Sequence, residues 1–131
     1  MSRTNASSHE LAAFLSEQLQ TLAADAGFRL ATDGSDVVVL DGGGSESRNG
    51  TAAILDDTDD PRSSTERTAT ATRAVLSHVQ DVISQGTGKP WPGSGSDLPV
   101  PGVSIEDGSL VARFGDPEAP VWRSDGLQLP A

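Results

Sequence analysis

Two Asp-Gly pairs, Asp33-Gly34 and Asp107-Gly108, each sit between short apolar runs, and they constrain the chain more than any other feature. Asp-Gly is a preferred occupant of the two-residue hairpin turn, whose backbone needs positive φ. A turn centred on Asp33-Gly34 sets Leu30 opposite Val37 and Phe28 opposite Val39. One centred on Asp107-Gly108 sets Ile105 opposite Leu110 and Val103 opposite Ala112. In both cases the paired apolar residues share one face, so turn chemistry and apolar pattern agree.

Helices surround these hairpins. Ser7 and Glu10 stand at capping-box spacing, and Leu11, Leu15, Leu19, Leu22 and Ala26 then recur every three or four residues. The spacing predicts a helix over residues 8–26, stopped by Gly27. Ser63 and Glu66 repeat the cap, and Thr72, Val75, Leu76, Val79, Val82 and Ile83 predict a second amphipathic helix ending at Gly86. A third strand is expected at Thr51–Leu55, after a loop from Asp41 to Gly50, and a short one at Val121–Arg123. The order α-β-β-β-α-β-β predicts an α+β fold. Its parts are an antiparallel sheet of about five strands, two helices on one face, and an irregular C-terminal tail. The chain of 131 residues reads as a single domain, 1–131, with a Gly/Pro/Ser-rich loop at 86–101 and the irregular tail at 115–131. In size, acidity and element order it resembles the chaperones that escort secretion effectors. The likeness is architectural, carried by no residue motif, and the closing helix of that pattern is missing.

Composition narrows the function classes. There is no cysteine, which removes disulfides, thiolate metal sites and thiol nucleophiles. The formal net charge of -10 opposes binding to phosphate backbones, so no nucleic-acid partner is expected. The polar start, Met1 to Glu10, carries no secretion-signal core, and no run approaches the ~20 apolar residues of a membrane span. A cytoplasmic location and no membrane partner are expected. Lys89 is the only lysine, and Arg, Ala, Gly, Asp and Thr are favoured, a bias typical of high-GC bacterial or halophilic archaeal hosts and their viruses.

Several groups invite a chemical reading. Asp41-Gly42-Gly43-Gly44-Ser45 follows an apolar strand, but a phosphate loop needs a helix and a basic residue directly after its glycines, and here Glu46 follows. Asp56, Asp57, Asp59 and Asp60 cluster without the alternating ligand spacing of a calcium loop. They read as solvating the approach to the second helix. His78 and Asp81, three apart on that helix, could orient a base, yet no strained-turn nucleophile accompanies them. No catalytic residue, metal ligand or cofactor is expected.

Two features point instead to binding. Trp91 lies in Lys89-Pro90-Trp91-Pro92-Gly93, a proline-stiffened aromatic that serves either as a binding anchor or as a staple for the long loop. Alternation sends Val38 and Leu40 away from the helices, with Arg29 and Ala31, and sends Val111 and Arg113 to the same side of the second hairpin. Apolar residues on that outer face call for a cover, either the chain's own tail through Trp122, Leu127 and Leu129, a second copy, or another protein. The leading expectation is a non-enzymatic protein–protein interaction module (adaptor, chaperone-like or assembly component). It would bind a protein partner or form a homodimer through the sheet face at Val38, Leu40 and Val111, with Trp91 of the long loop as a further binding residue. Alternatives are a structural subunit of a viral or other large assembly, and a small enzyme with an Asp/Arg site.

Overall fold

Helix α1 (Ser8–Ala24) starts at the expected cap, where the Ser7 hydroxyl accepts the Glu10 amide at 3.1 Å. The computed structural model describes residues 7–93 and 98–129. Leu11, Leu15 and Leu19 form the inward stripe of α1, all fully buried. The helix closes at Ala24, slightly before the expected boundary. Gly27 at φ +84° turns the chain so that the Phe28 amide donates to the Ala23 carbonyl.

Strands β1 (Arg29–Asp33), β2 (Asp36–Leu40) and β3 (Glu46–Gly50) form an antiparallel sheet in that order, sheet A. The first hairpin forms two residues away from the expected register. Leu30 pairs with Val39 and Ala31 with Val38, and the turn is Gly34-Ser35. Gly34, at φ +61°, takes the first central position, which a type II′ turn reserves for glycine. A shift of two preserves the face, so Leu30, Val37 and Val39 still point to the helices.

The third strand is not at Thr51–Leu55. It is β3, one element earlier, and Ala52–Leu55 forms the short helix α2. The Asp41 carboxylate accepts the Gly43 and Ser45 amides at 2.8 and 2.9 Å, so the chain reverses within five residues and pairing begins at once. Thr51 is buried at the junction. Its hydroxyl donates to the Ser8 carbonyl at 2.8 Å, with the Ser35 carbonyl 3.2 Å away.

Helix α3 (Ser64–Thr87) has the expected Ser63 cap on the Glu66 amide and the expected buried stripe through Val75, Leu76, Val79 and Ile83. It runs past Gly86 and ends at Gly88, in the left-handed conformation. Gly86 answers to packing instead, since a Cβ there would stand 2.6 Å from the Phe28 ring. At 24 residues α3 is about 36 Å long and packs against strands of both halves of the chain. The strands that follow it build a sheet of their own.

Sheet B holds β4 (Pro101–Glu106), β5 (Ser109–Gly115), β6 (Pro120–Arg123) and β7 (Leu127–Gln128), with β5 in the middle. The β4–β5 register is the expected one, Ile105 with Leu110 and Val103 with Ala112. The turn residues Asp107 and Gly108 have φ of 53° and 79°. The tail supplies β6, the short strand expected at Val121–Arg123, and also β7, in a stretch expected to be irregular, both on the second edge of β5. Between them the Ser124 hydroxyl accepts the Ala112 amide at 2.9 Å, extending the ladder where no strand residue can. The architecture is thus α+β and antiparallel, in two sheets of three and four strands rather than one of five. Both sheets and both long helices share one core, with Leu30, Val37 and Val39 from sheet A and Ala112 and Phe114 from sheet B. No helix among the described residues is long and apolar enough to cross a membrane.

The β4–β5 turn is a direct test of this account. Gly108→Val puts a β-branched residue at a positive φ and should cost roughly 1–3 kcal/mol. Urea unfolding should show a lower midpoint with unchanged slope. An unchanged midpoint would mean that the turn does not hold the hairpin.

Candidate functional site

Val38 and Val111 point away from the helices, yet each is only 4% exposed. A charged pair covers each one. In sheet A, Arg48 on β3 reaches Asp33 on β1 at 3.0 Å. These strands flank β2, so the pair crosses it at Val38, whose cross-strand neighbours are Ala31 and Arg48. Arg48 also meets Asp36 at 3.3 Å and Glu46 at 3.1 Å. Hydrogen bonds donated to Asp33 first, then to Glu46, raise its pKa above the ordinary value. In sheet B the same device recurs, with Arg123 on β6 meeting Glu106 on β4 at 2.6 Å across β5 and Val111. The Arg123 hydrogen bond, aided by Ser104, lowers the Glu106 pKa. Exposed ion pairs contribute little by themselves. What these straps supply is cover from the arginine stem.

Of the remaining expected site residues, Leu40 is half-buried on sheet A, opposite Arg29 and Glu46. Trp91 is 7% exposed and stands edge-on to Phe114, centroids 5.5 Å apart. Its amide donates to Ser84 Oγ at 3.1 Å, so it staples the loop after α3 to the core. Nor do the described residues of the tail cover sheet A. Trp122 packs against Phe114 and Leu127 against the core. Val38, Leu40 and Val111 therefore do not form one patch; Val111 belongs to sheet B alone.

Beyond its strap, the outer face of sheet B changes character. Gly102 on β4 and Gly115 on β5 give it a low floor. Val100 and Val121 rise on either side, 72% and 52% exposed, and Leu98 adds 47%. A groove of about 400 Å³ runs along Leu98, Val100, Arg113 and Pro117. A Cβ on Gly102 would lie 2.8 Å from both Cζ and Nη2 of Arg113 and 3.0 Å from Nε. Those nearly equal distances lay the guanidinium face-on over the glycine. Arg113 Nε is buried without a hydrogen-bond partner, an omission that costs about 1–3 kcal/mol for a buried donor. Arg48, Arg62 and Arg123 pair with carboxylates. Arg67 Nε is likewise buried without a hydrogen-bond partner, but its Nη1 donates to the carbonyls of Leu55 and Asp57, whereas the Arg113 guanidinium forms no hydrogen bond among the described residues. Trp91 contributes to this face at one remove. The loop it staples brings Gly93 against Val121, where a Cβ would meet Cγ1 at 3.2 Å.

The other candidate chemistry is held in local structure. Ser47 Oγ and His78 Nε2 lie 2.9 Å apart, joining β3 to α3, a pair that could not be read from the sequence without β3. No hydrogen bond to Asp81 orients the ring, and neither Ser47 nor His78 lines the clefts beside Trp91, Arg113, Phe28 or Gln20. In the acidic run, Asp57 accepts the Asp59 amide, and Asp60 accepts both the backbone and the guanidinium of Arg62. Among the described residues no three His, Cys, Asp or Glu side chains are grouped to hold a metal ion. The glycine loop at 42–44 is the β2–β3 connection, closed by Asp41.

Two outcomes test these assignments. Arg48→Ala uncovers Val38 and leaves Asp33, Asp36 and Glu46 in mutual repulsion, so it should lower the urea midpoint, and by less as salt rises. Arg48→Met, which keeps the stem, should recover part of the loss; equal losses would refute the cover. Arg62 holds the Asp60 carboxyl down at about 2, below its ordinary 3.8. A depressed folded-state pKa gives stability that is full above about pH 4 and lost as pH falls towards 2. The stability gap between wild type and Asp60→Asn should therefore be constant above about pH 4 and close towards pH 2. A gap that stays open at pH 2 would contradict the pairing.

Compared with protein-family models, curated proteins and solved structures, the chain shows no match.

Proposed function

We propose that the chain is a non-enzymatic protein–protein interaction module whose contact face is the outer side of sheet B around Gly102 and Gly115. One observation carries this reading. Of the large hydrophobics exposed among the described residues, Leu98, Val100 and Val121 lie on this part of sheet B or on the segment leading into it, while Ile105, paired with Leu110, belongs to the opposite side. Clustered exposed apolar surface with a polar rim is the usual mark of a contact site. The Glu106–Arg123 strap supplies that rim at one end. Sheet A offers less, since its strap leaves only Leu40 and the small Ala31 as half-open aliphatics on its outer face.

The test is a pair of variants, Val100→Asp and Val121→Asp, at positions already exposed. Each should keep its urea midpoint to within about 0.5 kcal/mol of wild type. Affinity capture from the native host, quantified by mass spectrometry, should recover a protein with wild type and lose it with both variants. Val38→Asp, buried under the strap, should lower stability instead. Recovery of the same proteins by all variants would sink the assignment of this face.

A further inference from the structure

Arg113 is the feature of this face that packing does not explain. It lies in an aliphatic groove with its Nε buried and unpartnered, on a chain of net charge -10. The carboxylate nearest along the strap, Glu106, is engaged by Arg123 and Ser104. Asp116 borders the groove, and its Oδ1 accepts the Glu118 amide. A planar guanidinium held over a glycine is oriented before any ligand arrives, and its donors match the two oxygens of a carboxylate. Val100 and Val121 stand on either side of β5, on a lead-in and a strand that flank it at about 9–10 Å from one another. An extended segment covers that distance in about three residues.

We infer that Arg113 anchors the partner, and that the segment it takes is an extended stretch with an Asp or Glu side chain between aliphatic residues. This rests on the proposed contact face and adds the chemistry of its ligand. Gly102 acts as a positioning residue, because any side chain there would lift the guanidinium off its seat.

The probe is a phage library of random peptides, about twelve residues long, selected on the whole chain. Enriched peptides should carry an acidic residue flanked by Val, Leu, Ile or Pro. A synthetic copy of the strongest should lose at least about tenfold in affinity on Arg113→Gln, on Gly102→Ala, or on its own Asp→Asn or Glu→Gln change. Arg113→Lys, which keeps the charge without the fork, should recover only part of it. Urea midpoints of the variants no lower than that of wild type exclude unfolding as the cause. Peptides without a carboxylate, or affinity unmoved by Arg113→Gln while Val100→Asp abolishes it, would overturn this inference alone. Carboxylate peptides indifferent to Val100→Asp and Val121→Asp would overturn the contact face itself. No enrichment would overturn both, and a dimer by light scattering that Val121→Asp dissociates would give the groove to a second copy of the chain instead.

Discussion

Two long helices cannot cover two sheets on both sides, and that shortage governs the arrangement of everything else. α1 and α3 shield one face of each sheet, where Val37, Val39, Ala112 and Phe114 are closed off from water. The central strands β2 and β5 nevertheless carry a valine on the other face. Each sheet meets the need with residues from its own flanking strands, an arginine on one side and a carboxylate on the other. Charge is thereby spent as packing, since the arginine stem does what a third layer would otherwise do. The cover is only one residue wide. Where the strap on sheet B ends, aliphatic surface emerges at Val100 and Val121.

Contact between the elements is concentrated at a few small residues. The buried hydroxyl of Thr51 connects the end of β3 to the start of α1, beside the first hairpin turn. Gly86 admits the Phe28 ring against α3, fastening the entry of sheet A to the far end of that helix. Trp91 does the same for sheet B by docking on Phe114, itself bracketed by Trp122. Most of the aromatic side chains of a chain poor in them thus serve as joints, while Leu and Val fill the volume between.

The features legible in the sequence were those with local causes. Both serine caps, both helix stripes and the Asp107-Gly108 hairpin depend on residues a few positions apart, and all form, with the helix ends displaced by one or two residues. The Asp33-Gly34 turn was misplaced because Gly34-Ser35 satisfies a different turn type with the same glycine, and the two registers bury the same face. β3 was missed because Glu46–Gly50 contains no apolar residue to alternate, whereas Ala52–Leu55 does look apolar. That single error hid the strap, since Arg48 faces Val38 only once β3 is paired. It also made the outer face of sheet A look bare. On the site itself, Trp91 was visible as a stiffened aromatic and Arg113 as an outward residue. The open groove was not, because it depends on Gly102 facing Arg113 and on Gly115 lying between the segments that carry exposed Val100 and Val121, a matter of register and not of composition.

Each sheet is assembled from strands consecutive in the chain, so nearly all pairing closes short loops. The Gln18 amide of α1 is an exception, since it bonds both the backbone and the carboxylate of Asp125, 107 residues away. Loop-closure entropy grows with the length of chain enclosed, and folding that follows the cheapest closures leaves this one until the end. The clasp between the first helix and the last strands is then a latch on a nearly finished structure. Its strength governs how quickly the native state reopens more than how quickly it forms.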